Sequence, residues 1–275
     1  MAAMARRYLL RAALIIPVSL CLIVIALGQS APEEVVFDSD GLQLRGFLWR
    51  PSGNGPFPAI LWNHGSEKRP GSHPALAKFY TQNSYVFFVP HRRGQGRSPG
   101  AYIQELVAEV PPSQRSVRMV ELQDQEVNDV IAALKFLKAQ SIVDPNRIAI
   151  SGCSYGGIQT LLAGEHELGV RALVPFAPGA MSWDRNPELS GRLRRAVDQA
   201  KAPVFLLQAE NDYSVAPTRV LTKEAGKNGK DFRSHIYPAF GSTHQDGHWG
   251  FCSTATDVWG NDVLTFLDKE MKSAK

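Results

Sequence analysis

Five short runs of mostly apolar residues recur along the chain: "FPAILWN", "SYVFFVP", "RIAISG", "VRALVPF" and "PVFLLQA". Each is too short for a buried helix and too apolar for a strand with one wet face. Segments with helical spacing lie between them, such as "PALAKFYTQN", "IQTLLAGEH" and "TRVLTKEAGK". The longest places Val127, Val130, Ile131, Leu134 and Leu137 on one stripe, and Asp144-Pro145 is expected to end that unit. "FRSHIYPAFG" reads as a last strand and "DVWGNDVLTFLDKEMK" as a closing helix. At the front, "EVVFDS" and "LQLRGFLW" flank Asp40-Gly41 as an antiparallel hairpin. Strands buried on both faces and alternating with helices make an α/β fold, a mostly parallel twisted sheet of about eight strands with helices on both faces.

Ligands bind such sheets beyond the carboxyl ends of the strands, so the residues at those ends carry the functional information. Asn63-His64-Gly65-Ser66 follows one strand and Gly152-Cys153-Ser154-Tyr155-Gly156 another. Glu210-Asn211-Asp212 follows a third, and a loop with His244 and His248 follows the last. Reactive side chains therefore crowd one edge.

The pentapeptide at 152–156 is G-x-S-x-G between a strand and a helix, the setting of a nucleophile elbow. Ser154 stands at its centre and is the nucleophile expected. Cys153 is one residue early and should pack beneath the turn. A serine hydroxyl needs a base, and the base an orienting acid, in the chain order Ser, Asp or Glu, His. Asp212 and His248 supply that order, with Glu210 and His244 as rivals, and Ser154 Oγ is expected within hydrogen-bond reach of His248.

With these residues the sequence resembles the α/β-hydrolase superfamily over about residues 34–270, most closely its dienelactone-hydrolase-like branch. The Ser-Tyr-Gly-Gly run at 154–157 is also similar to the catalytic domain of prolyl oligopeptidases. "ENDYSVAP", "GHWGF" and "NHG" fit habits of the superfamily. The resemblance implies an oxyanion hole made by the N–H groups of Ser66 and Tyr155, and a bracing role for His64. It implies acyl transfer with no metal or organic cofactor. Two departures bear on substrate. Dienelactone hydrolases carry cysteine at the elbow, where serine stands here. Prolyl oligopeptidases carry a propeller, for which the roughly thirty residues before the first strand leave no room. Small carboxylic esters or lactones are the expected substrates, with a peptidase or amidase, or a non-catalytic binding protein on this scaffold, as alternatives.

Ahead of the strands, Arg6, Arg7 and Arg11 precede an apolar run from Ala12 to Leu27 that ends in small residues. This is the layout of a secretory signal peptide over 1–28, with an uncleaved membrane anchor as the alternative. Those arginines carry three of the four net positive charges, so the exported domain at 29–275 is close to neutral and nucleic acid is not an expected partner. A membrane is expected only if the leader is retained. Cys153 and Cys252 are expected as small buried packing residues, with pairing in an oxidising compartment as the alternative. Segments near 101–120 and 181–199 are expected to cap the site, with Met181 and Trp183 candidates for an acyl pocket. Arg192, Arg194 and Arg195 read as a solvated helix face, and Arg92, Arg93 and Arg97 as braces for their turn.

Overall fold

The computed structural model describes residues 31–271, so the expected leader at 1–28 lies outside the described residues. One sheet of eight strands organises the chain, in the order β1-β2-β4-β3-β5-β6-β7-β8. The hairpin β1 (Glu33–Ser39) and β2 (Leu42–Trp49) pairs antiparallel, with Ser39 opposite Leu42. Asp40 and Gly41 supply the two positive φ angles, 51° and 79°, that such a turn requires. β2 joins β4 (Val86–Pro90) antiparallel; every pairing beyond it is parallel, through β3 (Phe57–Asn63), β5 (Val143–Cys153), β6 (Ala172–Phe176), β7 (Val204–Ala209) and β8 (Phe232–Tyr237).

Alternation along the strands splits the core into two layers. Leu61, Ile150, Leu173 and Leu206 face α3 (Arg115–Lys138), α4 (Tyr155–Ala163), α5 (Pro187–Gln199) and α6 (Ala216–Lys227). Trp62, Ala149, Val174 and Leu207 face α1 (Pro74–Gln82), α7 (Phe251–Thr254) and α8 (Thr256–Glu270). A strand that is apolar at every position is what this double burial demands.

One expectation about a boundary is corrected. β5 starts at Val143 and runs through Pro145, with a register shift between Phe57 and Ala59 on its partner. The proline sits ahead of the regular ladder, where its missing N–H costs no inner bond. The segment at 101–120 holds α2 (Ile103–Ala108) and the first turns of α3. Those turns bury no residue fully before Leu122, which is why apolar spacing gave no sign of them.

Candidate active site

Ser154 stands where β5 breaks into α4, at φ 59° and ψ −115°, a conformation held only under constraint. Close packing supplies the constraint. A Cβ on Gly156 would lie 1.8 Å from the Asn63 carbonyl oxygen on β3, so only glycine lets the turn pass there. The Ser154 N–H donates to the carbonyl of Phe176 at 2.9 Å, pinning the elbow to β6. The hydroxyl faces the cavities above the sheet.

His248 lies on a π-helical turn, Asp246–Gly250, and is buried. Its Nδ1 is 2.8 Å from Asp212 Oδ1, just past the end of β7. The carboxylate is fixed from other directions as well: Oδ1 accepts the Tyr213 N–H at 2.6 Å, and Oδ2 accepts from Gln208 Nε2 at 2.8 Å. An imidazole that donates Nδ1–H to a carboxylate leaves Nε2 as its basic nitrogen. That Nε2 is buried and has no hydrogen-bond partner. It shares a cavity with Ser154, but no hydrogen bond joins the two, contrary to the reach expected from sequence. Such contacts commonly tighten only when substrate closes the site. The rivals lie elsewhere. His244 is exposed and donates to the Asn211 carbonyl at 2.9 Å, and Glu210 is exposed.

Ser66 and Tyr155 line the same cavity as Ser154. The Ser66 carbonyl accepts the Tyr102 hydroxyl at 2.5 Å, while its N–H donates to no group among the described residues. Tyr155 opens α4, where a first-turn N–H has no intrahelical acceptor. Arg92, whose side chain is fully buried, links the loop just ahead of Ser66 to Tyr155. Its Nη2 donates to the carbonyls of His64 at 3.0 Å and Gly65 at 2.6 Å, and its guanidinium sits 4.7 Å from the Tyr155 ring centre. Glu126 completes this scaffold, 3.4 Å from Arg92 Nε, and accepts the Tyr155 hydroxyl at 2.8 Å. Burial pushes the Glu126 carboxyl up against the opposing pull of Arg92. Burial, then the Arg92 charge, holds His64 well below the usual imidazole range, so it is neutral beside the cation. The bracing expected of His64 and Arg92 is therefore one network. Arg93 braces too, through Asp129 at 2.6 Å, and Arg97 reaches Glu34 at 2.7 Å.

A cavity of about 560 Å³ opens on one side of Ser154. Its walls come from both segments singled out in the sequence: Val107, Arg115 and Met119 from one, Met181, Arg185 and Leu189 from the other. Trp183 is a correction, since it is buried in the core rather than on the wall. Arg192 also departs from the solvated face, being paired with Asp124 at 2.8 Å and with Glu165, while Arg194 and Arg195 are exposed. A second cavity of about 500 Å³ lies on the His248 side and includes Glu67, Arg69, Gln245 and Trp249. Burial pushes the Glu67 carboxyl up.

Cys153 and Cys252 overturn the expectation of unpaired packing residues. Both are fully buried, with Cα atoms 6.0 Å apart, and they form a disulfide. The sequence held a clue, for one cysteine precedes Ser154 and the other follows His248 by one helical turn. Asn211 was also missed. Its side chain joins the Phe240 N–H and the carbonyls of Phe240 and Thr243, at 2.9 Å each, and so ties the histidine loop to the end of β7.

Residues 40–214 match the family model described as X-Pro dipeptidyl-peptidase (S15 family). The chain belongs to this family. It is an α/β-hydrolase domain, as the strand order and its neighbours agree. Dipeptidyl-peptidase 5 of Porphyromonas endodontalis is 20% identical over 254 residues, covering 78% of this chain and 33% of that protein. An acylaminoacyl peptidase from Pyrococcus horikoshii superposes with a TM-score of 0.68 at 19% identity, covering 90% of this chain and 43% of its own. An esterase from Pyrococcus furiosus superposes with a TM-score of 0.65 at 17% identity, covering 88% and 92%. The chain thus spans less than half the length of the peptidases it resembles, and the structural likenesses establish fold alone. The proteins it resembles are peptidases and esterases.

Proposed function

We propose that the protein hydrolyses small carboxylic esters or lactones through Ser154, His248 and Asp212. The observation that carries this reading is the His248 imidazole, held by Asp212 through Nδ1 and leaving a buried, bare Nε2 in the cavity that Ser154 shares. In the scheme, Nε2 takes the Ser154 proton as Oγ attacks the ester carbonyl carbon. Asp212 stabilises the imidazolium without accepting its proton. The N–H groups of Ser66 and Tyr155 hold the oxyanion, each donor contributing about 3 kcal/mol to the transition state. The carbonyl re-forms, the C–O bond to the alcohol breaks, and His248 protonates the departing oxygen. Water then repeats the attack on the acyl-enzyme, and Ser154 recovers its proton.

This chemistry assigns the two cavities. His248 must reach the leaving oxygen, so the alcohol portion belongs in the 500 Å³ cavity and the acyl portion in the 560 Å³ one. The acyl cavity is lined by Arg115 and Arg185 and by no carboxylate. Release of a dipeptide from a chain end needs a partner for the terminal ammonium group, and the charges here favour the opposite sign. Peptide or amide cleavage with the same residues is the second reading, favoured by the family match itself. We also propose export to an oxidising compartment, supported by the buried disulfide and the leader-like start of the chain.

Fluorophosphonate labelling of the 29–275 chain followed by peptide mapping tests the site. Labelling at Ser154 is expected, lost in His248→Ala and kept in His244→Ala. A folded protein that stays unlabelled would sink the reading. Esters and amides with matched acyl groups then decide between the two substrate classes, with ester turnover expected to exceed amide turnover by at least roughly 100-fold.

A further inference from the structure

We infer that the Cys153–Cys252 disulfide is a positioning device that holds the Ser154 elbow against the His248 segment, and that full activity therefore requires its oxidation. The inference rests on the roles proposed above for Ser154 and His248.

The argument starts from how each pair of groups is held. His248 and Asp212 lie on segments stitched together by several polar contacts: the His248–Asp212 bond, the three Asn211 side-chain bonds, His244 to the Asn211 carbonyl, and Tyr213 Oη to Gln245 at 3.0 Å. The acid and the base are thus secured to each other without help. The nucleophile and the base are not. No side-chain hydrogen bond among the described residues runs between the elbow at 153–163 and the histidine segment at 244–254, and Ser154 and His248 do not bond each other.

The disulfide supplies the missing tie, at the points where it bears on both groups. Cys153 is the last residue of β5, adjacent to Ser154, and is clamped in register with Phe176 on β6. Cys252 is the second residue of α7, which continues directly from the π-helical turn carrying His248. Around the bridge the contact between the two segments is apolar: Phe176 packs on Phe251 at 6.4 Å between ring centres, while the Trp259 indole hydrogen bond to the Phe251 carbonyl joins α7 to α8 and does not reach the elbow. Apolar contact is non-directional and tolerates small slides, whereas a covalent bridge does not. A displacement of about 1 Å between reacting groups can cost on the order of 100-fold in rate.

In chemical terms, two thiols lose two electrons and two protons to an incoming disulfide, which departs as a dithiol, and the Cys153 Sγ–Cys252 Sγ bond forms. A dithiol reductant reverses the exchange. The chain would fold in either state, but only the oxidised one would keep Nε2 aimed at Ser154 Oγ. Loss of the bridge should therefore act on the chemical step and leave substrate binding and the Asp212–His248 unit in place.

The test compares the oxidised wild-type chain with Cys153→Ala/Cys252→Ala, and with wild type reduced by dithiothreitol and then re-oxidised. Circular dichroism at a temperature well below each melting point establishes that the forms compared are folded. The readouts are the rate constant and final stoichiometry of fluorophosphonate labelling, and kcat, KM and the kcat–pH profile on an activated ester. Expected are a labelling rate and kcat lowered by about 10- to 100-fold. KM should stay within about threefold, with unchanged stoichiometry and an unchanged acid limb of the pH profile. Re-oxidation should restore the rate. A purely structural bridge would instead lower the stoichiometry, in proportion to the unfolded fraction, and leave the rate per labelled site alone; that result overturns the inference, as does a rate constant equal to wild type in both disulfide-free forms. An oxidised wild type that neither labels nor turns over ester is a different failure: it removes the proposed roles of Ser154 and His248, and the inference with them.

Discussion

A buried imidazole nitrogen with no partner costs about 1–3 kcal/mol, and Nε2 of His248 is such an atom. The fold sustains it with the Asp212 bond on the opposite side of the ring, so the two nitrogens have separate tasks. Asp212→Asn is accordingly expected to leave the fold intact and to lower kcat by about 10³- to 10⁴-fold, because an amide can hold the wrong tautomer of His248. Steady-state ester kinetics beside a thermal melt check this, and a loss under about tenfold would count against the proposed role. Gly156 sets a different limit. With a Cβ 1.8 Å from the Asn63 oxygen, Gly156→Ala has to move β3 or the elbow. Its expected cost is about 3 kcal/mol or more, read from the denaturant midpoint. The candidate residues Ser154, Asp212 and His248 were legible from sequence because strand ends and chain order single them out. Arg92 was read as a brace, but its partners Tyr155 and Glu126 were not, since they lie on helices whose docking no local pattern encodes.

At the scale of elements, legibility followed burial. β3 through β7 announce themselves because both faces are covered, whereas the first turns of α3 hold no fully buried residue before Leu122. The disulfide left only an indirect clue for another reason: 99 residues separate its cysteines, and their approach depends on how α7 docks behind β5. That separation also makes the bridge a large constraint on the unfolded chain. A closed loop of this length corresponds to about 4–5 kcal/mol in the chain-entropy account. For a domain of this size the disulfide-free double variant is expected to melt about 10 °C lower. Calorimetry measures this independently of any rate, and a shift under about 3 °C would mean that the unfolded chain gains little freedom when the bridge is gone.

For the whole molecule, acid sensitivity follows from three imidazoles gathered around the loop after β3. Burial is the first cause of the lowered pKa of His64, His73 and His91; Arg92 adds to it for His64, and His91 for His73. His73, between the Trp62 and Trp249 rings, is pushed down to about 4 from an ordinary 6.5. A group with a depressed folded-state pKa binds fewer protons folded than unfolded. Its contribution is complete above about pH 6.5 and is lost as the pH falls toward the folded value. Glu67 and Glu126 act in the opposite sense, because burial raises them, so stability from these two falls as the pH rises above about 4.5. The raw pH curve therefore mixes the two, and a difference measurement separates them. Urea unfolding of wild type and His73→Gln at pH 7.5, 6 and 4.5 isolates one imidazole. Wild type should lose about 2–3 kcal/mol relative to the variant between pH 7.5 and 4.5, whichever protein is the more stable at pH 7.5. A difference that stays flat with pH would show that His73 keeps its ordinary pKa in the folded state and that its ring is hydrated.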